Sequence, residues 1–339
     1  MQEDDIEIAE KSMKSPRHVS LAANAEAHIR GLHLVDAATG WASGSQGTVL
    51  RMTDGQTWQV VSPMEQTHLD FRDVHGFDAQ QAVIMAAGNE GRIFRTDDGG
   101  ATWKQVFEDL TEGVFLDGMD FHDSLGICYG DPIGERFYGV FSLNYGKTWT
   151  KASMTGFPRP LDGEAGFAAS GTGIIVMEDR EYTATGGGPT ARVVRSMREM
   201  ESDMRTEAFD TPLRSGEGCG IFSMAFKNAL RGVAVGGCYL DSTSVAGNCA
   251  YTSDAGRTWI LSDSLPPAGY RSCVVYNEAQ DAYITCGRTG VDISYDDGRS
   301  WQSITSEGYF TCATVEQTVW LMGRNGKCGR IDLHKSISP

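Results

Sequence analysis

Residues 96–103 read TDDGGATW, and the same frame returns along the chain. Residues 252–259 (TSDAGRTW) and 294–301 (SYDDGRSW) are full copies, and residues 142–149 (SLNYGKTW) carry Asn144 in place of the Asp. Residues 52–58 (MTDGQTW) are one residue short, and around Ser196 the text RSMREMESD keeps the opening Ser but not the Asp, Gly or Trp. The frame S/T-x-D-x-G-x-T/S-W describes a hairpin turn. Its carboxylate and hydroxyls bond backbone N–H groups of the turn, its Gly accepts positive φ, and its Trp opens the next strand and buries a large ring. The expected turn residues are Asp54, Asp98, Asn144, Asp254 and Asp297, with Trp58, Trp103, Trp149, Trp259 and Trp301.

Working outward, each of these Asp-boxes sits in a longer unit. IRGLHLVD, TGWASGSQG, TVLRMT, box and WQVVS are followed by FRDVHGFD, QAVIMAAGNEG, RIFRT, box and WKQVF. Trp58, Trp103 and Trp149 are 45 and 46 residues apart, and four short strands per such period mark a β-propeller blade. Inner strands are expected to begin near Arg30, Arg72, Asp117, Glu164, Phe222, Arg271 and Phe310. The sequence thus predicts an all-β, seven-bladed propeller with four antiparallel strands per blade. The last unit lacks a fourth strand, and His18-Val19-Ser20-Leu21 is apolar enough to supply it and close the ring. Residues 18–335 form this one domain, and residues 1–17 a flexible acidic tail.

Composition agrees. Gly is abundant, 41 residues against 10 Pro, as many short strands and tight turns require. A formal charge of −16 repels phosphate backbones, so no nucleic-acid partner is expected. No run of 18 apolar residues occurs, so no membrane span is expected. The eight cysteines form no CxxC pair, and neither HxH nor HExxH occurs, so no metal and no cofactor is expected. His33, His75 and His122 read as core or rim residues. Cys238 and Cys249 flank a polar loop whose hairpin would let them bond in an oxidising compartment; the other reading is buried free thiols.

The phrases LRMTDGQTWQVVSP (50–63), FRDVHGFDA (71–79), GDPIGERF (130–137), GFAASGTG (166–173), GIFSMAF (220–226) and GYRSCVVY (269–276) resemble the Asp-box propellers related to the photosystem II assembly and stability factor. The closer resemblance is to bacterial extracytoplasmic members labelled oxidoreductase or BNR-repeat glycosyl hydrolase. It implies a secreted or periplasmic protein whose leader lies outside this numbering; the alternative is a cytoplasmic one. The oxidoreductase label has no GxGxxG on a βαβ unit to support it.

Loops into each inner strand share one face with the long loops between second and third strands, and binding is expected there. Arg30, Arg72, Arg271, Asp131, Arg136 and Tyr309 are candidate ligand residues at the channel mouth. Asp73, Asp117, Glu164 and Tyr270 are the candidates for chemistry, the carboxylates as acid and base and Tyr270 as a sialidase-like nucleophile. Against sialidase activity, residues 30–32 read Arg-Gly-Leu where sialidases carry Arg-Ile-Pro. The expected function is a non-catalytic binding or scaffold propeller, a monomer taking a protein or carbohydrate ligand; the alternative is a glycoside hydrolase or lyase.

Overall fold

The computed structural model describes residues 16–198, 204–262 and 264–333. Residues 1–15, most of the predicted tail, lie outside them. Seven four-stranded antiparallel sheets surround an axis. Six run in chain order from axis to rim. Their inner strands are Ile29–Leu34, Asp70–Gly76, Leu116–His122, Ile174–Val176, Cys219–Phe226 and Cys273–Asn277, in blades 1 to 6. In blade 7 the order outward is Thr311–Val315, Thr318–Met322, Lys327–Asp332 and then Arg17–Ala22. His18 faces Ile331 and Leu21 faces Cys328, so the expected N-terminal closure is present. Among the described residues, no helix is long and apolar enough to cross a membrane.

The core lies in the seams between blades. Second strands such as Ala82–Ala87 are buried along their whole length because they face a neighbouring sheet on both sides. Each box Trp fills the seam toward the preceding blade. Trp58 packs with Ile29 and Trp320, Trp149 with Val83 and Phe121, Trp259 with Tyr182 and Val193, and Trp301 with Val233 and Val235.

The boxes bond as their chemistry requires. In the second, the Thr96 hydroxyl donates to Asp98 and accepts from Gly100 N–H, while Asp98 accepts from the N–H and hydroxyl of Thr102. In the box at 294–301 the carboxylate in this role is Asp296, a correction to Asp297. Ser294 donates to Asp296 at 2.8 Å, and Ser300 donates its N–H and hydroxyl at 2.9 and 2.6 Å. Asp297 stands one position on, at φ 59°, and pairs outward with Lys227, Arg231 and Arg299. Burial pushes Asp296 up, but the Ser300 bonds outweigh it and leave its pKa below the usual range. Its contribution is therefore complete above the unfolded carboxylate's pKa and lost as pH falls through the lower folded one. Asp296→Ala is expected to cost about 1–3 kcal/mol and Asp297→Asn less than about 1 kcal/mol, read from urea unfolding at neutral pH. Equal costs would contradict the assignment.

The cysteine expectation is also corrected. Cys238 bonds to Cys219, directly opposite it in the first strand pair of blade 5. Cys249 faces Val235, three residues before Cys238, which is about 10 Å along the strand. Among the described residues the other six cysteines are free and buried.

Candidate functional site

Blade 4 departs from the simple repeat and so shapes the axis. Its inner strand is only Ile174–Val176, not a strand opening near Glu164. The preceding residues, 165–173, cross the channel and are held by five other blades. Arg72 donates to the Ala168 carbonyl at 2.8 Å and Arg30 to that of Ala169 at 3.4 Å. Gly166 N–H donates to Asp131 at 3.0 Å, Ser170 to the Ser272 carbonyl at 2.7 Å, and Thr172 pairs with Ser223 at 2.6 Å. Two glycines permit this path. A Cβ on Gly171, which has φ +79°, would collide with the Asp73 carboxylate, and one on Gly166 with that of Asp117.

This plug divides the axis into two cavities. On the Asp-box face, a bowl of about 380 Å³ is lined by inner-strand side chains, including His33, His75 and Asp73. His33 and His75 stack at 4.2 Å, and burial lowers both pKa values, that of His33 to about 4, so they are neutral packing groups. On the loop face, a cavity of about 250 Å³ is floored by Phe167, Ala168 and Ala169 and walled by Arg30, Arg72, Arg288, Phe222, Tyr239 and Tyr270. Phe167 stacks on Phe222 at 4.0 Å, and Tyr270 meets Phe222 edge-on at 4.8 Å.

The electrostatics of this mouth are one-sided. Arg72 is paired with Asp70 at 2.6 Å. Among the described residues, neither Arg30 nor Arg288 has a carboxylate partner. Arg30 lies over the Phe310 ring at 4.2 Å and Arg288 over Tyr239 at 5.8 Å. Burial, and then the neighbouring Arg72, lower the Arg30 pKa to about 10, against the pull of Tyr270 and Asp70, with Arg288 lowering it further. The cavity therefore offers guanidinium donors and aromatic faces, and among its described lining residues no carboxylate.

Of the other sequence candidates, all but Tyr270 lie elsewhere. Arg271 is fully buried and donates to Asp292, the Tyr270 carbonyl and Thr289, so it braces blade 6 and has no free donor face. Tyr309 is buried, its hydroxyl shared by His18 at 2.8 Å and Glu307 at 3.4 Å in the blade 7 closure. Arg136 is at the exposed tip of a blade 3 hairpin, donating to the Met154 carbonyl. Glu164 is buried and accepts from Arg192, Thr185 and Leu161 N–H. Asp73 accepts from Val74 and Met119 N–H, stitching blade 2 to blade 3, and burial raises its pKa well above the usual range. Asp120 repeats this stitch to Val176 in blade 4, with its pKa raised to about 6 by burial. Burial, and then the neighbouring Asp131, raise the Asp117 pKa well above the usual carboxylate range against the pull of Arg72, and its Oδ2 is buried without a hydrogen-bond partner among the described residues. Tyr270 lines the mouth, but burial raises its pKa and its charged neighbours are arginines, so no adjacent base activates it.

Arg288, Tyr239 and Phe167 were not singled out from the sequence. Arg288 and Tyr239 each follow a second strand, on the loop face, and Phe167 is in the plug. Adding the turns after second strands to the inner-strand openings would have found the first two.

No known family model matches the sequence. Among solved structures the chain is similar to YCF48 bound to D1 peptide, at 14% identity over 96% of each chain and a TM-score of 0.66. It is similar to YCF48 from Cyanidioschyzon merolae, at 14% identity over 93% of this chain and 98% of that one, TM-score 0.59. It also matches the WD40 β-propeller domain of Doa1, at 11% identity over 93% of this chain and 96% of that one, TM-score 0.62. These likenesses are of fold, and they place the chain among seven-bladed β-propellers structurally related to YCF48 and to WD40 propellers.

Proposed function

We propose that the protein is a non-catalytic binding propeller whose loop face holds a carboxylate-bearing segment of a partner protein. The observation that carries this reading is the pair of guanidiniums, Arg30 and Arg288, which have no carboxylate partner among the described residues and stand with the Asp70-paired Arg72 around an aromatic cavity. A ligand carboxylate supplies the missing charge through bidentate bonds, and its apolar neighbour rests on Phe222 and Tyr239. A bound peptide in one structurally similar protein supports a peptide as the ligand class. The Cys219–Cys238 bond supports an extracytoplasmic setting.

The geometry gives less support to glycoside hydrolysis. A second loop-face cavity of about 360 Å³ does hold Glu135, Asp162 and Glu164. There Glu135 is paired with Arg159 at 2.8 Å and Glu164 with Arg192, which leaves Asp162 without the second unpaired carboxylate that the reaction needs.

Calorimetry with a library of short peptides, each with a free or an amidated C-terminus and with or without acidic side chains, tests the proposal. Peptides carrying a carboxylate beside an apolar residue are expected to bind. Arg30→Ala and Arg288→Ala should each weaken them roughly tenfold or more, the Arg288 variant without lowering the melting temperature. Binding unaffected by both substitutions would overturn the assignment of this mouth.

A further inference from the structure

The seam between blades 3 and 4 differs from its neighbours. In five seams an indole from the following blade's box fills the space between sheets. Blade 4 supplies none, because its box has decayed to RSMREMESD. At that seam the structure has a cleft of about 760 Å³. The cleft opens to solvent, and its volume lies within the range of roughly 300–1,000 Å³ that holds small organic ligands.

Its walls are chemically unequal. Blade 3 and the segment after it present Leu125, Tyr129, Phe137, Val140, Met154 and Phe157. Blade 4 presents Thr183, Ser196 and Glu181, and the cleft meets solvent beside exposed Leu143 and Arg198. Glu181 is half-buried, and among the described residues its carboxylate accepts no hydrogen bond and has no ion-pair partner. Burial raises its pKa to about 7, while Arg198 acts in the opposite sense. Arg198 itself donates to the Glu178 carbonyl at 3.4 Å. A part-buried carboxylate that faces an apolar wall across a cleft is costly until a cation reaches it, and the chain's charge of −16 draws cations from a distance.

We propose that this cleft is a binding site for a small aromatic amine, whose ring occupies the seam where other blades insert an indole and whose ammonium meets Glu181. The site is distinct from the arginine-lined mouth and does not depend on that reading.

Three probes with one ring and different charge test it: tryptamine, 3-methylindole and indole-3-propionate, titrated by calorimetry into the full chain at pH 8. Tryptamine is expected to bind with a dissociation constant below about 1 mM, more tightly than 3-methylindole, with indole-3-propionate weakest. Glu181→Gln should weaken tryptamine roughly tenfold and bring it level with 3-methylindole. Ala152→Phe, on the blade 3 wall, should abolish binding of all three; if it does not fold, Ala152→Leu should weaken all three. Arg30→Ala should change nothing here, which separates this site from the mouth. Absence of tryptamine binding, equal binding of amine and carboxylate, or insensitivity to both Glu181→Gln and the Ala152 substitutions would overturn the proposal.

Discussion

Arg271→Met is expected to lower the stability of the fold by about 3–5 kcal/mol. The guanidinium is fully buried and donates through Nε to Asp292 at 2.8 Å, through Nη1 to the Tyr270 carbonyl at 3.0 Å and Thr289 at 2.7 Å, and through Nη2 to Asp292. Asp292 is itself only 2% exposed. Without the arginine its carboxylate keeps only a long contact from Ala268 N–H at 3.4 Å. The cost arises from that orphaned charge more than from the lost attraction. The double substitution Arg271→Met/Asp292→Leu should therefore recover most of the stability. Urea unfolding of both variants checks the argument. A single variant as stable as the parent would mean that the pair is solvated, and a double variant no better than the single would place the loss in packing.

Trp301→Ala should cost a similar amount, about 3–5 kcal/mol. The ring is 6% exposed, packs with Val233 and Val235 across the seam between blades 5 and 6 and with Tyr283 of its own blade, and donates through Nε1 to the Gly298 carbonyl at 3.2 Å. Alanine would open a cavity between two sheets whose spacing is fixed by their inner strands, so the seam cannot collapse to fill it. Trp103 is only half-buried and donates to the Val61 carbonyl at 2.7 Å, so its removal should cost less. Thermal melts of the two variants give the ranking. The reverse order would show that the boxes stabilise through their turns and not through their rings.

The comparison of Arg30 with Arg271 shows where sequence reading stops. Both stand near the opening of an inner strand in the same aligned position. Arg271 meets Asp292 on the third strand of its own blade, while Arg30 meets the Ala169 carbonyl and the Phe310 face and no carboxylate among the described residues. Asp296 and Asp297 show the opposite case. Counting S-x-D from Ser294 reaches Asp296, so the box carboxylate was legible and only the register was set one residue late.

The sequence by itself determined the repeat, the blade count and the closure by residues near His18, because these follow from local turn chemistry and strand alternation that recur every 45 residues or so. It also marked blade 4 as the one whose box had decayed. What only the tertiary structure decided is the course of residues 165–173 through the axis, the pairing of Cys219 with Cys238, and which charged groups remain unmatched at the mouth. Those depend largely on contacts between residues far apart in the chain, such as Arg30 with Ala169, Ser170 with Ser272 and Arg72 with Ala168. A period in sequence fixes where each strand turns; the partner that a side chain meets across the axis is set by the closed ring.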